Sequence, residues 1–365
     1  MLPSYVWESI SYDAQMFDCI TRSIMSHPGG PLLILGLAPI VSRFVVESYD
    51  CLVAEIPEIK SLFTADDIEL VRKSRHRSKL LLDRDRNLTD ITSELRHIAE
   101  SQREAFIEPR RKRLLFGLIN WLQPDMGLFR YEGKIFSTTH AVVFGFGDER
   151  NLKEKGRGFG YAVGRYVATL ASIAKAVLRD EYSVPVLSGA VTMTDIKYKQ
   201  MYSRAVIGRL ELGFSAACAL ILANTTFVHR IIRESSCSEL AFFKQKFLTA
   251  YHAQASLRLI QNVARPTGHF PAETAVVFEK LISDSFARWL KSKSDLRNTL
   301  THYRVDTKLK LEAHTSYEEV VQHLLGSRNL SNVNSELDRY LGLLENELAL
   351  GFRVDKNTFW YGAVK

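Results

Sequence analysis

Apolar side chains recur three and four residues apart along much of this chain, and that spacing sets the class of fold. From about residue 196 onwards three long segments show the pattern, and a closing segment follows at residues 316–350. An α-helix completes a turn every 3.6 residues, so side chains at this spacing lie on one face and can be buried together. Four such helices around one core predict a helical bundle over residues 196–365.

The first 125 residues are also predicted to be mainly helical. Thr64 followed by Asp67 is typical of a helix N-cap with an acidic first turn. A second long helical pattern extends from Thr92 to Trp121. We therefore expect a mostly helical N-terminal region over residues 1–125.

Residues 126–195 have a different character. Aromatic and β-branched residues with a turn at Gly133 predict a short β-hairpin near residues 129–146. A glycine-rich stretch follows, but it lacks the spacing of a phosphate-binding loop and no βαβ pattern surrounds it. We interpret the stretch as a flexible loop leading into a connecting helix, in which Gly164 allows close packing. The three loop glycines are Gly156, Gly158 and Gly160.

The composition is that of a globular protein with an excess of positive charge. Hydrophobic residues make up 46% and charged residues 24% of the 365, which excludes bulk disorder. The formal net charge of +7 is compatible with an anionic partner such as RNA. The four cysteines are far apart in sequence and form no C-x-x-C pair, so we expect no disulfide framework, no zinc site and a reducing, cytoplasmic location.

Two apolar stretches are candidates for membrane spans, which need about 20 predominantly apolar residues. The first is short and is interrupted by Pro39 and Arg43, and polar residues dilute the second at 212–228. The N-terminus has no basic flank before an apolar run, as a signal peptide would. We predict two buried core helices and no association with a membrane.

The segment LRNTLTHY, residues 296–303, combines side chains suited to phosphate chemistry. On a helix, Leu296, Leu300 and Tyr303 share a stripe that should face the core. Arg297 then lies about 140° from His302, at 100° per residue. Arginine offers a planar, permanently charged fork to phosphate, and imidazole can take and return a proton near neutral pH. These residues could promote attack of an RNA 2′-hydroxyl on the adjacent phosphate without a metal or other cofactor.

This segment resembles the signature of the HEPN superfamily, in which Arg, a polar residue that is often Asn, a short spacer and His occur in a compact helical domain. The resemblance covers about residues 196–365. It implies an endoribonuclease of the kind found among bacterial toxins and antiphage or abortive-infection effectors, acting as a homodimer whose active site forms where two motif helices meet. It also implies cleavage products with a 2′,3′-cyclic phosphate and a 5′-hydroxyl.

The resemblance assigns roles to individual residues of the motif. His302 would be the general base, Arg297 would bind the scissile phosphate, and Asn298 would position the phosphate or the motif. Asp295 and Tyr303 are accessory candidates, and Tyr303 is expected to pack rather than react.

A basic cluster follows Pro109 and is a candidate RNA contact. Lysine and arginine bind the phosphate backbone without reading sequence, although a solvated start of a helix explains the cluster equally well. The residues are Arg110, Arg111, Lys112 and Arg113.

Three functions are consistent with these patterns. The first is a metal-independent endoribonuclease, with an antitoxin or sensor protein as a possible partner. The second is a non-catalytic helical module that binds RNA or protein, since some members of the superfamily do not cut RNA. The third is a nucleotide-dependent regulator that uses the glycine-rich stretch.

Overall fold

The computed structural model describes residues 2–79, 81–82, 88–111, 124–147, 152–178, 182–204, 207–266, 268, 270–305 and 315–352. The protein is mainly α-helical, as predicted. The helices of the first half are α1 Ser4–Ser26, α2 Gly30–Leu52, α3 Ala65–Ser78, α4 Leu88–Arg111, α5 Thr139–Phe146 and α6 Leu152–Leu178. Those of the second half are α7 Tyr198–Arg204, α8 Leu212–Thr226, α9 Arg233–Ser235, α10 Glu239–Ala264, α11 Ala272–Ile282, α12 Ser285–Lys291, α13 Ser294–His302, α14 Tyr317–Leu325 and α15 Leu330–Phe352.

The predicted N-cap at Thr64 is present. The backbone N–H of Asp67 donates to the Thr64 hydroxyl at 3.1 Å, and the Asp67 carboxylate accepts from the Thr64 N–H at 3.2 Å. This reciprocal pair satisfies two amides that the first turn of α3 leaves without helical partners.

The predicted hairpin is confirmed, but it is shorter than expected and has a third strand. β1 Met126–Tyr131 pairs antiparallel with β2 Lys134–Thr138, and Gly133 turns the chain with a φ of +76°. Residues 139–146 form α5 instead of strand, because the Thr138 hydroxyl accepts the N–H of Ala141 and caps a helix there. β3 Val191–Ile196, which the sequence did not predict, pairs with the other edge of β1.

The glycine-rich stretch is helical, so the predicted loop at Gly156, Gly158 and Gly160 is wrong. All three lie in α6 together with Gly164, and a Cβ at any of them would meet nothing within 4 Å. The close packing expected at Gly164 is therefore also wrong. α6 packs on α1 and buries an apolar stripe, which compensates for the helix-weakening glycines. The stripe is Phe159, Ala162, Tyr166, Val167, Leu170 and Ala174.

Three long helical predictions of the second half are divided into shorter helices. The predicted closing helix over residues 316–350 forms α14 and α15. Residues 272–302 form α11, α12 and α13 in place of one helix. The Asp284 carboxylate accepts the N–H groups of Phe286 and Ala287 and starts a new helix at that point. Residues 198–235 are likewise divided, and a π-helical turn at Phe227–Ile232 joins α8 to α9.

One cluster of buried apolar side chains draws on all three predicted regions, residues 1–125, 126–195 and 196–365. α1 packs against α6, α10 and α14, and α2 packs against α3 and α13. The boundaries at residues 125 and 195 remain predictions.

Length and composition would allow two helical stretches, Gly30–Leu52 and Leu212–Ser235, to cross a membrane. The most apolar windows of these stretches are 78% and 89% buried inside the fold, respectively. Core helices of a globular protein are buried in the same way, so the two stretches do not establish a membrane protein.

Candidate functional site

The motif helix α13 is held in place from both ends and along one face. Lys293, its N-cap residue, donates from Nζ to the carbonyl oxygens of Leu324 and Leu325 at the end of α14, at 3.0 and 3.2 Å. Leu296 and Leu300 are only 1% and 0% exposed, which confirms that this stripe faces the core.

His302 is oriented by a carboxylate from the first half of the chain. Its Nδ1 lies 2.7 Å from Oε2 of Glu47, on α2, and the other oxygen of Glu47 accepts from the guanidinium of Arg75, on α3. The Glu47 side chain is 7% exposed and that of His302 is 44% exposed. A carboxylate at Nδ1 fixes the tautomer that carries its proton there and leaves the Nε2 lone pair as the proton acceptor.

Glu47 is held in its charged form by these two partners. Burial alone would raise the pKa of the carboxyl, but the hydrogen bond with His302 and the positive charge of Arg75 outweigh burial and lower the pKa. A charged Glu47 can stabilise the positive charge that His302 gains on taking a proton, which is the role of the carboxylate in a His–carboxylate pair.

The other polar residues of the motif have separate partners. Arg297 donates from Nη1 to Oδ1 of Asn298 at 2.7 Å, and its guanidinium lies 5.5 Å from the ring centre of Tyr251. Asn298 is exposed, as is Asp295 in the first helical turn. The structure thus brings Arg297 and Asn298 together, while His302 is held by Glu47.

Several cations surround this part of the protein. His252 of α10 is buried beside α13 and is bonded to the carbonyl oxygen of Ser78 at 3.2 Å. Burial lowers the pKa of His252 well below its ordinary value, and the charges of Arg43, Arg297 and Lys79 lower it further. Arg43 is itself buried, donates to Gln245 and is acted on by the carboxylates of Asp13 and Glu47, so the positive charges here are partly balanced within the fold.

A buried ionic network lies beneath the motif helix. The Tyr303 hydroxyl donates to Oδ2 of Asp13 on α1 at 2.5 Å, and Lys244 of α10 donates to the same oxygen at 2.5 Å. The Lys244 ammonium also lies 3.8 Å from the centre of the Tyr303 ring. Burial and the charge of Asp13 raise the pKa of Tyr303 well above its ordinary value, so its hydroxyl keeps its proton. Tyr303 is thereby a packing contact that joins α13 to α1 and α10.

Sequence reasoning missed four residues of this site: Glu47, Arg75, Asp13 and Lys244. One signal pointed towards Glu47. Arg43 and Glu47 stand four residues apart in an otherwise apolar segment, and buried charges in such a segment need partners. The other contacts join residues far apart in sequence and have no local signature.

The proposed basic cluster is only partly within the described residues. Arg110 and Arg111 belong to the last turn of α4. Lys112 and Arg113 lie outside the described residues. Their contact with RNA remains a prediction.

No protein-family model, curated protein or solved structure matches the chain. The HEPN resemblance therefore rests on the motif residues themselves. Over the described ranges, no group of three or more His, Cys, Asp or Glu side chains is placed to hold a metal ion.

Proposed function

We propose that the protein is a metal-independent endoribonuclease in which His302 is the general base. The observation that carries the proposal is the pairing of His302 Nδ1 with the charged carboxylate of Glu47, while the imidazole stays partly open to solvent. A base needs a fixed orientation and access to its substrate, and this arrangement offers both.

In the proposed reaction Nε2 of His302 removes the proton of an RNA 2′-hydroxyl. The 2′-oxygen attacks the adjacent phosphorus, the bond from phosphorus to the 5′-oxygen breaks, and that oxygen leaves with a proton from the imidazolium or from water. The products are a 2′,3′-cyclic phosphate and a 5′-hydroxyl. Arg297 binds the phosphate as its charge grows, with Asn298 holding the guanidinium in place.

The cations around the motif support a polyanionic substrate. Arg297 is partly exposed within the motif, and the whole chain carries a formal net charge of +7. RNA is the class of substrate that the motif resemblance implies and that this charge fits. The toxin or antiphage role, the antitoxin or sensor partner and the cytoplasmic location belong to the same proposal.

A second candidate function is a non-catalytic module that binds RNA or protein. The observation in its favour is that His302, Glu47 and Arg75 join three helices, α13, α2 and α3. Buried ionic networks of this kind also occur where they only fix a packing arrangement.

Cleavage of RNA in EDTA distinguishes the two candidates. Purified protein should cut RNA with the chelator present and leave cyclic phosphate ends. His302→Ala should lower the rate about 100-fold or more, the scale of a lost general base. The matched control is His323→Ala, which removes an exposed histidine at the end of α14 and should leave the rate unchanged.

Each outcome decides for one candidate. Full activity in His302→Ala, or activity only with an added divalent cation, would rule out the proposed mechanism. RNA binding without cleavage in the unaltered protein would favour the binding module.

A further inference from the structure

Two cysteines that are distant in sequence meet in the fold. Cys19 lies in α1, and Cys237 directly precedes the start of α10. The Cys237 thiol lies 3.6 Å from the carbonyl oxygen of Gln15, one helical turn before Cys19. The Cys19 thiol donates to the carbonyl oxygen of Ser183 at 3.5 Å, and the neighbouring Cys237 thiol raises the pKa of Cys19. The sequence analysis predicted no disulfide framework, and all four cysteines are free thiols in the structure.

We propose that Cys19 and Cys237 are a redox modification site that forms a reversible intramolecular disulfide when a peroxide oxidises the protein. The proposal does not depend on the proposed ribonuclease activity. It rests on the shared position of the two thiols against one turn of α1, and on their different exposure. Cys19 is completely buried, whereas Cys237 is partly exposed and can meet a small oxidant.

The chemistry proceeds in two steps. The Cys237 thiol loses its proton to solvent, the thiolate attacks one oxygen of hydrogen peroxide, and the O–O bond breaks to give a sulfenic acid and hydroxide, which takes up a proton to become water. The Cys19 sulfur then attacks the Cys237 sulfur, its proton passes to the departing hydroxyl, and water leaves as the S–S bond forms. Overall, two thiols are oxidised to one disulfide and one peroxide is reduced to two waters.

The environment of Cys19 makes the second step slow and confined to this pair. Its hydrogen bond with Cys237, together with burial, raises the pKa of Cys19, so little thiolate is present at neutral pH. The low fraction of Cys19 thiolate is offset because its attack on Cys237 is intramolecular. Cys51 and Cys218 are buried in α2 and α8, and burial raises the pKa of both, so they should stay reduced.

The disulfide would join α1 to the segment that leads into α10, and these two helices already share an ion pair. α1 and α10 are connected by Asp13 and Lys244, which contact the motif helix through Tyr303. A covalent bond between Cys19 and Cys237 would restrict the unfolded chain over a very long loop, so the oxidised protein should be more stable than the reduced protein.

Peptide mapping after oxidation tests the site. The full chain is treated with hydrogen peroxide, remaining thiols are blocked with N-ethylmaleimide, and the digest is analysed without reductant. We expect a cross-linked pair of peptides containing Cys19 and Cys237, lighter by two hydrogen atoms than the two thiol peptides, which dithiothreitol separates. Blocked Cys51 and Cys218 are the internal reference.

Thermal unfolding provides the second readout. Oxidation should raise the melting temperature by several degrees, and Cys237→Ser should abolish the rise, as should Cys19→Ser if that variant folds. Cys51→Ser should keep it. The proposal is overturned if Cys237 is oxidised only to sulfinic acid or to an interchain disulfide, if Cys237 resists peroxide that oxidises the methionines, or if the linked protein melts no higher.

Discussion

Glu47 is the residue on which the proposed chemistry depends most after the motif itself. It is a charged side chain on an apolar helix, and its carboxylate is kept ionised by His302 on one oxygen and Arg75 on the other. Its contribution to catalysis would be indirect, because it orients the imidazole and does not touch the RNA. In a His–carboxylate pair the carboxylate holds the base in the required tautomer, and its loss lowers the rate although the base itself remains.

We therefore expect Glu47→Gln to lower the rate of RNA cleavage by about 10-fold or more, up to the roughly 10²- to 10⁴-fold loss of a general base, while RNA affinity stays nearly unchanged. The amide keeps the size of the side chain but loses the charge that fixes the tautomer of His302. The dependence of the cleavage rate on pH should also change, which loss of packing alone would not cause.

Asp50→Asn is the matched control for Glu47→Gln. Asp50 on α2 pairs with Arg72 on α3 at 3.2 Å, and Glu47 and Arg75 pair between these same helices. Both side chains of the Asp50–Arg72 pair are about half exposed. Exposed ion pairs contribute little, so this variant should keep both the rate and its pH profile. Equal effects of the two substitutions would mean that Glu47 has no special role towards His302.

At the scale of elements, α6 is the helix whose sequence agrees least with its structure. Four glycines lie on it, and a Cβ at any of them would be in open space. Glycine weakens a helix relative to alanine because it loses more backbone freedom on folding. The buried stripe of α6 therefore provides the stability that its own backbone lacks.

Gly160→Ala and Gly164→Ala should each stabilise the protein by about 0.5–1 kcal/mol. The contrasting control is Gly36→Ala in α2, where the new Cβ would clash with the ring of Phe227 and should destabilise the protein by about 1–3 kcal/mol. Urea unfolding at constant m-value measures all three. Destabilisation by the α6 alanines, or a change in oligomeric state, would show that another chain covers this face.

Residue spacing within a single segment predicted the features that the segment determines by itself. The apolar spacing identified the helical class and the buried stripe of Leu296, Leu300 and Tyr303. The spacing did not identify α6 as a helix over the glycines, because glycine indicates a loop unless the burial of the apolar stripe of that helix is known. It also failed at β3, which pairs with a strand about 60 residues earlier, and nothing within β3 encodes that pairing.

The candidate site was predictable only in the part that one helix carries. Residues 295–303 have a readable spacing, but the partner of His302 comes from α2 and that of Tyr303 from α1. Tertiary packing creates these contacts, and single-sequence patterns contain no distance between such residues. The same limit concealed the meeting of Cys19 and Cys237.

For the whole molecule, buried histidines should make stability depend on pH. Burial lowers the pKa of His140 from 6.5 to about 3, and that of His252 is also well below 6.5. His140 lies among the rings of Tyr198 and Tyr202. At a pH between the pKa of each histidine in the folded protein and its pKa in the unfolded chain, the unfolded chain binds a proton that the folded protein does not. The contribution of these histidines to the free energy of unfolding is therefore fully present above about pH 6.5 and is lost as the pH falls.

We expect the free energy of unfolding to fall between about pH 6.5 and about pH 5 by up to about 1.4 kcal/mol per pH unit for each of these histidines. His140→Phe should reduce that slope by about half, because the ring packing is kept and one titrating group is lost. Urea unfolding at several pH values measures the slope. His323→Gln, on the surface, is the control and should not alter it; an unchanged slope in His140→Phe would contradict the assignment.

The predicted homodimer also belongs to this scale. If each active site takes Arg297 from one chain and His302 from its partner, a mixture of Arg297→Ala and His302→Ala chains should regain part of the cleavage that each variant lacks. Mixed subunits assayed with light scattering test this arrangement. An active monomer, or no recovery in confirmed mixed dimers, would place both residues of a working site in one chain.

The pairing of Glu47 with His302, 255 residues later in the chain, has a consequence for how the protein is made. A ribosome that has released α2 still has to synthesise more than two hundred residues before the imidazole exists to meet its carboxylate. Under the proposed activity, a growing chain would be harmless to the messenger that encodes it, and a translation product that stops before α13 would be inert.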